Sequence, residues 1–321
     1  MRRLCRHGIR IWSDTRPKRP RGFSLVELMI GLALGMLAGA LAASAFHSVQ
    51  VAYRAAVDLV LLEERGQRAI AVVSHLIRHG GWRPPGATAL PDAPPALSGR
   101  DDCGQPGIAA QPTCARRGVN GSDALLVRFS GSGRAQDPTL PDQTMTDCSG
   151  YALPAASAGG DAIGSGGTYA GANLLYVANG ADGEPQLLCR YSSRRDGRVQ
   201  QGNWTSGALV RGLETMQLRY GIDTDGDGKT DTFLRAEELR ARGEAAWHEV
   251  RVVQVALVLR GERPLPRAAA AAALVLFPPP GPGAHGGDLV FDPPPGSTLM
   301  RRVFSTSVRL RNASPCVETL C

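Results

Sequence analysis

Apolar residues run almost without interruption from Phe23 to Phe46, 24 positions that hold one charge, Glu27. At about 1.5 Å per residue a helix of that length reaches about 36 Å, enough to cross a hydrocarbon core of about 30 Å. Beyond it the pattern becomes a one-sided stripe. Val51, Ala55, Leu59, Leu62, Ala69, Val73, Leu76 and Ile77 recur at helical spacing, while Arg54, Asp58, Glu63, Glu64, Arg65 and Arg68 fill the other faces. That is the pattern of an amphipathic helix. Gly66 interrupts it, at about 1 kcal/mol relative to Ala. Gly80-Gly81 ends the helix and Pro84-Pro85 prevents its return. One helix is therefore expected from Phe23 to about Arg78, with a transmembrane half over 23–46 and an amphipathic half over 47–79.

After the helix the chain reads as short β-strands between Gly, Pro, Ser and Asp. The candidates are Ala124–Phe129, Leu174–Ala178, Gln186–Tyr191, Leu213–Tyr220, Glu249–Leu259 and Val303–Leu310. The last alternates well, with Phe304, Thr306, Val308 and Leu310 on one face and Val303, Ser305, Ser307 and Arg309 on the other. Residues 84–122 and 278–297 are rich in Pro and Gly and are expected to be loops that bury little apolar surface. Ala268–Ala273 fits a helical turn or plain low complexity. No internal repeat is visible. The fold class expected is α+β: a long N-terminal helix packed on an antiparallel β-sheet head over 80–321.

Charge sharpens the topology. The net charge is +7, but residues 1–22 take eight of the 36 basic and one of the 29 acidic residues, leaving 28 of each beyond. The basicity belongs to a leader and indicates no nucleic-acid partner. Positive residues flanking an apolar helix stay cytoplasmic, which sends the rest across the membrane. A secretory signal shares the basic and apolar regions, but this run is longer and has no clear small-residue cleavage site at its end. Cysteine usage agrees with export. Apart from Cys5 there are six, Cys103, Cys114, Cys148, Cys189, Cys316 and Cys321, an even number that suggests disulfides. Six cysteines allow 15 connectivities; pairing sequence neighbours gives Cys103–Cys114, Cys148–Cys189 and Cys316–Cys321. Zinc would need tighter spacings such as C-x-x-C, which do not occur.

At the start of the apolar run the order is specific: a basic leader, then Gly22-Phe23-Ser24-Leu25-Val26-Glu27. An acid tolerated near a helix end by snorkelling is the plain alternative for Glu27. The order resembles the processing site of type IV prepilins. That resemblance implies cleavage by prepilin peptidase between Gly22 and Phe23, methylation of the new Phe23 terminus, and a Glu27 that pairs with a neighbouring subunit's terminal amine. Further segments resemble the PilW family of minor pilins: Ile77-Arg78-His79-Gly80-Gly81-Trp82, Met216-Gln217-Leu218-Arg219-Tyr220-Gly221 and Arg302–Asn312. The proline that major pilins usually carry midway along this helix has no counterpart between Pro20 and Pro84. Gly31, Gly35, Gly39 and Ala43 form a small-residue face, common in membrane helices and suited to close helix packing.

The implied role is a minor pilin that primes or caps a type IV pilus. Its partners would be other minor and major pilins, the peptidase and the inner-membrane assembly platform. It would cross the inner membrane once, N-terminus cytoplasmic and head periplasmic, before reaching the cell surface. A minor pseudopilin of a type II secretion system shares the plan. A membrane-anchored, calcium-binding adhesin that never polymerises is the alternative from another class.

One stretch suggests metal chemistry. Asp223-Thr224-Asp225-Gly226-Asp227-Gly228-Lys229-Thr230-Asp231 spaces acids two apart with Gly at the turn, as a loop wrapped on a hard cation does. The calcium ligands would be Asp223, Asp225, Asp227, the Lys229 carbonyl and Asp231. An EF-hand wants a bidentate Glu at its twelfth position, where Leu234 stands; Glu237 and Glu238 lie close behind. A solvated Asp/Gly turn is the plain alternative. His75 and His79 are four apart on the helix but lack the Glu of a zinc-protease motif. There is no G-x-S-x-G turn and no phosphate loop, and Trp82, Trp204 and Trp247 read as core or loop anchors. No enzyme is indicated.

Overall fold

The expected helix forms as α1, Leu25–His79. The computed structural model describes residues 22–84, 93–137, 140–155, 169–195, 198–264, 272–277 and 290–312. Residues 1–21 of the leader, Cys316, Cys321 and most of Ala268–Ala273 lie outside them. The chain forms two units, Met1–Arg54 and Ala55–Cys321. In the first, the helix is apolar on every side and unburied: Leu25 is 74% exposed and Leu28 67%.

The second unit contains the rest of α1 and two antiparallel sheets, the α+β plan expected. In chain order the strands are β1 (Leu97–Arg100), β2 (Gly104–Gly107), β3 (Thr113–Arg116), β4 (Ala124–Phe129), β5 (Gly171–Asn179), β6 (Pro185–Arg195) and β7 (Arg198–Arg211). Then follow β8 (Leu213–Ile222), β9 (Thr232–Leu234), helix α2 (Ala236–Arg242), β10 (Val250–Pro264), β11 (Leu274–Val275), β12 (Val290–Phe291) and β13 (Leu299–Arg309). One sheet has the order β1-β4-β5-β6-β7, the other β13-β10-β8-β9, with β2-β3 and β11-β12 as separate pairs.

The period of two decides what each sheet buries. Leu125 and Val127 of β4, Leu175 and Val177 of β5, Met216, Leu218 and Tyr220 of β8, and Val253, Val255 and Leu257 of β10 all face the main core. The α1 stripe Leu62, Ala69, Val73, Leu76 and Ile77 completes it. The opposite faces bury smaller clusters, Ala124, Leu126, Leu174 and Tyr176 on one sheet, Ala256, Val258, Phe277 and Phe291 on the other.

Three differences from the sequence reading have physical causes. Asp58 does not lie on an outer face: it is 3% exposed and accepts the Glu262 backbone N–H at 3.1 Å, so it anchors α1 to an irregularity near the end of β10. Leu59, assigned to the stripe, is 40% exposed instead. Residues 84–122 are not all loop. Leu97 is buried in the main core, β1 adds to the sheet edge by pairing with β4, and Gly99 leaves room for the Tyr220 hydroxyl; a Cβ there would stand 2.0 Å from it. Finally β7, absent from the sequence reading, pairs with β6 from Gln186↔Arg211 to Arg195↔Arg198.

Gly66 has a packing reason. A Cβ at this position would lie 2.1 Å from Cζ of the buried Phe304 ring. Gly66→Ala gains about 1 kcal/mol of helix propensity, yet displacing a core ring costs about 1–3 kcal/mol. A net loss of stability is expected on thermal unfolding, and in a Phe304→Leu background the same substitution should turn neutral or stabilising. The paired sulfurs also follow the chain order: Cys103–Cys114 and Cys148–Cys189 are bonded, 11 and 41 residues apart.

Candidate functional site

Two places gather the residues singled out from the sequence. At the N-terminus of α1, Ser24 and Glu27 form a reciprocal cap. Glu27 Oε2 accepts the Ser24 backbone N–H at 2.9 Å, and Ser24 Oγ accepts the Glu27 N–H at 3.2 Å. This S-x-x-E capping box satisfies two donors that a helix start leaves open. The spacing was readable in the sequence; the cap adds a local role to Glu27 beside the one implied by resemblance. Gly22 and Phe23 precede the helix in an irregular, exposed segment, the state a peptidase needs of its substrate.

The second place is the turn after β8. Asp223 closes the sheet end, its backbone N–H donating to the Glu249 carbonyl at 3.0 Å. Its Oδ1 accepts from Gly226 N–H at 2.8 Å, and its Oδ2 from Gly228 N–H at 3.1 Å and Arg251 Nε at 3.2 Å. Burial pushes this carboxyl up, but those three donors outweigh it and hold Asp223 below the usual carboxylate range. Asp225 Oδ1 accepts from the Asp227 N–H at 3.1 Å, another tight Asx contact.

Asp223, Asp225 and Asp227 each bring one carboxylate oxygen to within 4.8 Å of the others. Lys229 donates its backbone N–H at 2.7 Å and its ammonium at 2.8 Å to Asp227. Asp231 does not join the three: its Oδ2 accepts the Thr224 hydroxyl at 2.6 Å and N–H at 2.7 Å, which lower its pKa. Glu238 instead accepts the Arg235 N–H at 2.7 Å, and Glu237 pairs with Arg240 at 3.4 Å. Three of the five expected ligands thus converge. The set is oxygen-only and anionic, which suits a hard cation, but is incomplete until side chains turn.

The histidine pair is a packing feature. The His75 and His79 rings meet edge-on at 4.1 Å and His79 lies against Phe129 at 5.8 Å. Burial, with His75 adding, holds the His79 imidazole down to about 4. Trp247 meets Tyr220 edge-on at 4.9 Å in the core, as an anchor residue should.

Residues 17–43 match the prokaryotic N-terminal methylation motif, the stretch holding Gly22, Phe23, Glu27 and the bare apolar helix. With that helix before an antiparallel sheet unit, the motif defines a membrane-anchored protein of the type IV pilin class. Residues 174–312 match the family described as type IV pilus-assembly protein W, PilW, and cover β5 to β13. Together the two matches support a PilW-family type IV pilin. Among solved structures it is similar to the type IV-like pilin TTHA1219 from Thermus thermophilus, at 14% identity and TM-score 0.36 over 82% of this chain and 99% of that one. The assignment rests on the two family matches and not on that likeness. No curated protein matches the chain.

Proposed function

We propose that the protein is a minor pilin that primes or caps a type IV pilus. Prepilin peptidase removes the leader after Gly22, Phe23 becomes the methylated terminus, and the leader end stays cytoplasmic with the second unit in the periplasm until assembly. The role is structural rather than catalytic. The observation that supports this best is the bare helix behind the processing motif: Leu25, Leu28, Met29 and Leu32 are each at least 60% exposed. Such a surface needs a hydrocarbon surround first and a filament core later. Deletion of the gene should reduce the number of surface pili, and sheared pili should contain this chain far below the major subunit. Normal piliation in the deletion strain, with the chain absent from sheared pili, would favour the non-polymerising adhesin. Loss of type II secretion with pili intact would favour the pseudopilin.

Calcium at Asp223, Asp225 and Asp227 belongs to the same proposal, with Asp231 and the Lys229 carbonyl recruited on binding. A ligand that binds only the folded form adds about 2.7 kcal/mol at 100 times its Kd. Detergent-extracted protein should therefore melt several degrees higher in calcium than in chelator. Asp225→Ala with Asp227→Ala should erase the difference while leaving the fold. Equal melting of wild type and double variant in both conditions would leave only a charged turn.

A further inference from the structure

Several arginines of the second unit pair with acids: Arg65 with Glu262, Arg194 with Asp147, Arg301 with Glu214 and Arg302 with Glu63. One cleft instead gathers four arginines around a single acid. About 610 Å³ in volume, it is lined by Arg78 from the last turn of α1, Arg251 from β10, and Arg309 and Arg311 from the end of β13. Asp223 is its one acid among the described residues, and that carboxylate already accepts from Arg251 and two backbone N–H groups. Neither Arg78 nor Arg311 has an ion-pair partner among the described residues. The cleft thus carries a formal surplus of three positive charges.

Its walls are fixed. The Leu310 N–H donates to the Arg251 carbonyl at 2.8 Å, and Arg309 Nη2 donates to the Gly228 carbonyl at 3.0 Å. The Asn312 amide donates to the Arg78 and Gly80 carbonyls, both at 3.3 Å, tying the end of β13 to the end of α1. Guanidinium groups held around a concavity match the forked geometry of phosphate oxygens, and like charges left unpaired side by side are tolerated best with an anion between them. Ser307 adds a hydroxyl to the same wall.

We propose that this cleft binds a phosphate-type oxyanion, with Arg78 from the end of α1 and Arg311 from beyond β13 both turning to it. The site goes beyond the pilin role and needs no metal. The test is titration calorimetry on the detergent-extracted chain in chelator, using inorganic phosphate and, separately, glycerol 3-phosphate. Saturable one-to-one binding that weakens with added salt is expected. Tighter binding of the ester identifies a phosphorylated ligand such as a lipid headgroup, and tighter binding of the free ion identifies phosphate itself. Arg78→Ala with Arg311→Ala should weaken binding at least about tenfold, or about 1.4 kcal/mol, and leave the melting temperature unchanged, since neither side chain has an ion-pair partner among the described residues. Arg78→Lys with Arg311→Lys should retain part of it. No saturable binding of either anion, or wild-type affinity in the double alanine variant, overturns the proposal.

Discussion

Glu214→Ala is expected to lower the unfolding free energy by about 3–5 kcal/mol, because it leaves a buried guanidinium without its counter-charge. Glu214 Oε2 accepts from Arg301 Nε at 2.5 Å and Oε1 from Nη2 at 2.9 Å, with the two side chains 3% and 4% exposed. Arg260 stands 3.9 Å away on the strand between them. The pair spans β8 to β13 across β10, so it holds the four-stranded sheet in register as well as balancing charge. A typical domain has only about 5–15 kcal/mol to lose. Urea unfolding followed by the fluorescence of buried Trp247 would read the change. Replacing both partners with apolar residues of similar size should recover most of the loss. A cost below about 1 kcal/mol, the scale of an exposed pair, would contradict the burial argument.

Glu27 carries the second large effect, on assembly rather than stability. Glu27→Ala removes a helix cap worth about 1 kcal/mol and, in the proposed filament, the partner of the adjacent subunit's positive terminus. Glu27→Gln separates the two. Glutamine keeps the capping box with Ser24 but has no charge to offer. Cleavage is expected to persist in both variants, whereas incorporation into sheared pili should fall steeply in both, since an unpaired buried charge costs several kcal/mol. Wild-type incorporation of the Gln variant would reduce Glu27 to a cap.

What could be read from the sequence follows from where the information lies. Strand β4 was delimited at both ends, Ala124 and Phe129, because both its faces are buried and Ser122-Asp123 and Ser130-Gly131 flank an apolar run. The buried half of α1 was legible for the same reason, with Leu62, Ala69, Val73, Leu76 and Ile77 on one face. Strand β7 was not: Arg198–Arg211 is an edge strand whose polar, Gly-containing sequence forms through backbone pairing with β6. Asp196-Gly197 between the two strands is a hairpin signal that could have found it.

Buried charges were the least legible. Arg128 is fully enclosed and donates to the Pro95, Ala109 and Ala110 carbonyls, so burial brings its pKa down to about 10. Its partners lie 18 to 33 residues away, beyond any local pattern. The same holds for Asp58 and Glu262, and for the cleft built from Arg78, Arg251, Arg309 and Arg311. In the acidic turn, spacing placed Asp223, Asp225 and Asp227 together, but the competition of Thr224 for Asp231 is a matter of rotamers that spacing does not encode.

The account stands most directly on the processing of the N-terminus. Mass spectrometry of the membrane-extracted chain should find a mature protein that begins at methylated Phe23, with the leader through Gly22 removed. An intact Met1 terminus, or a cut beyond Ala45 that discards the apolar helix, would contradict it.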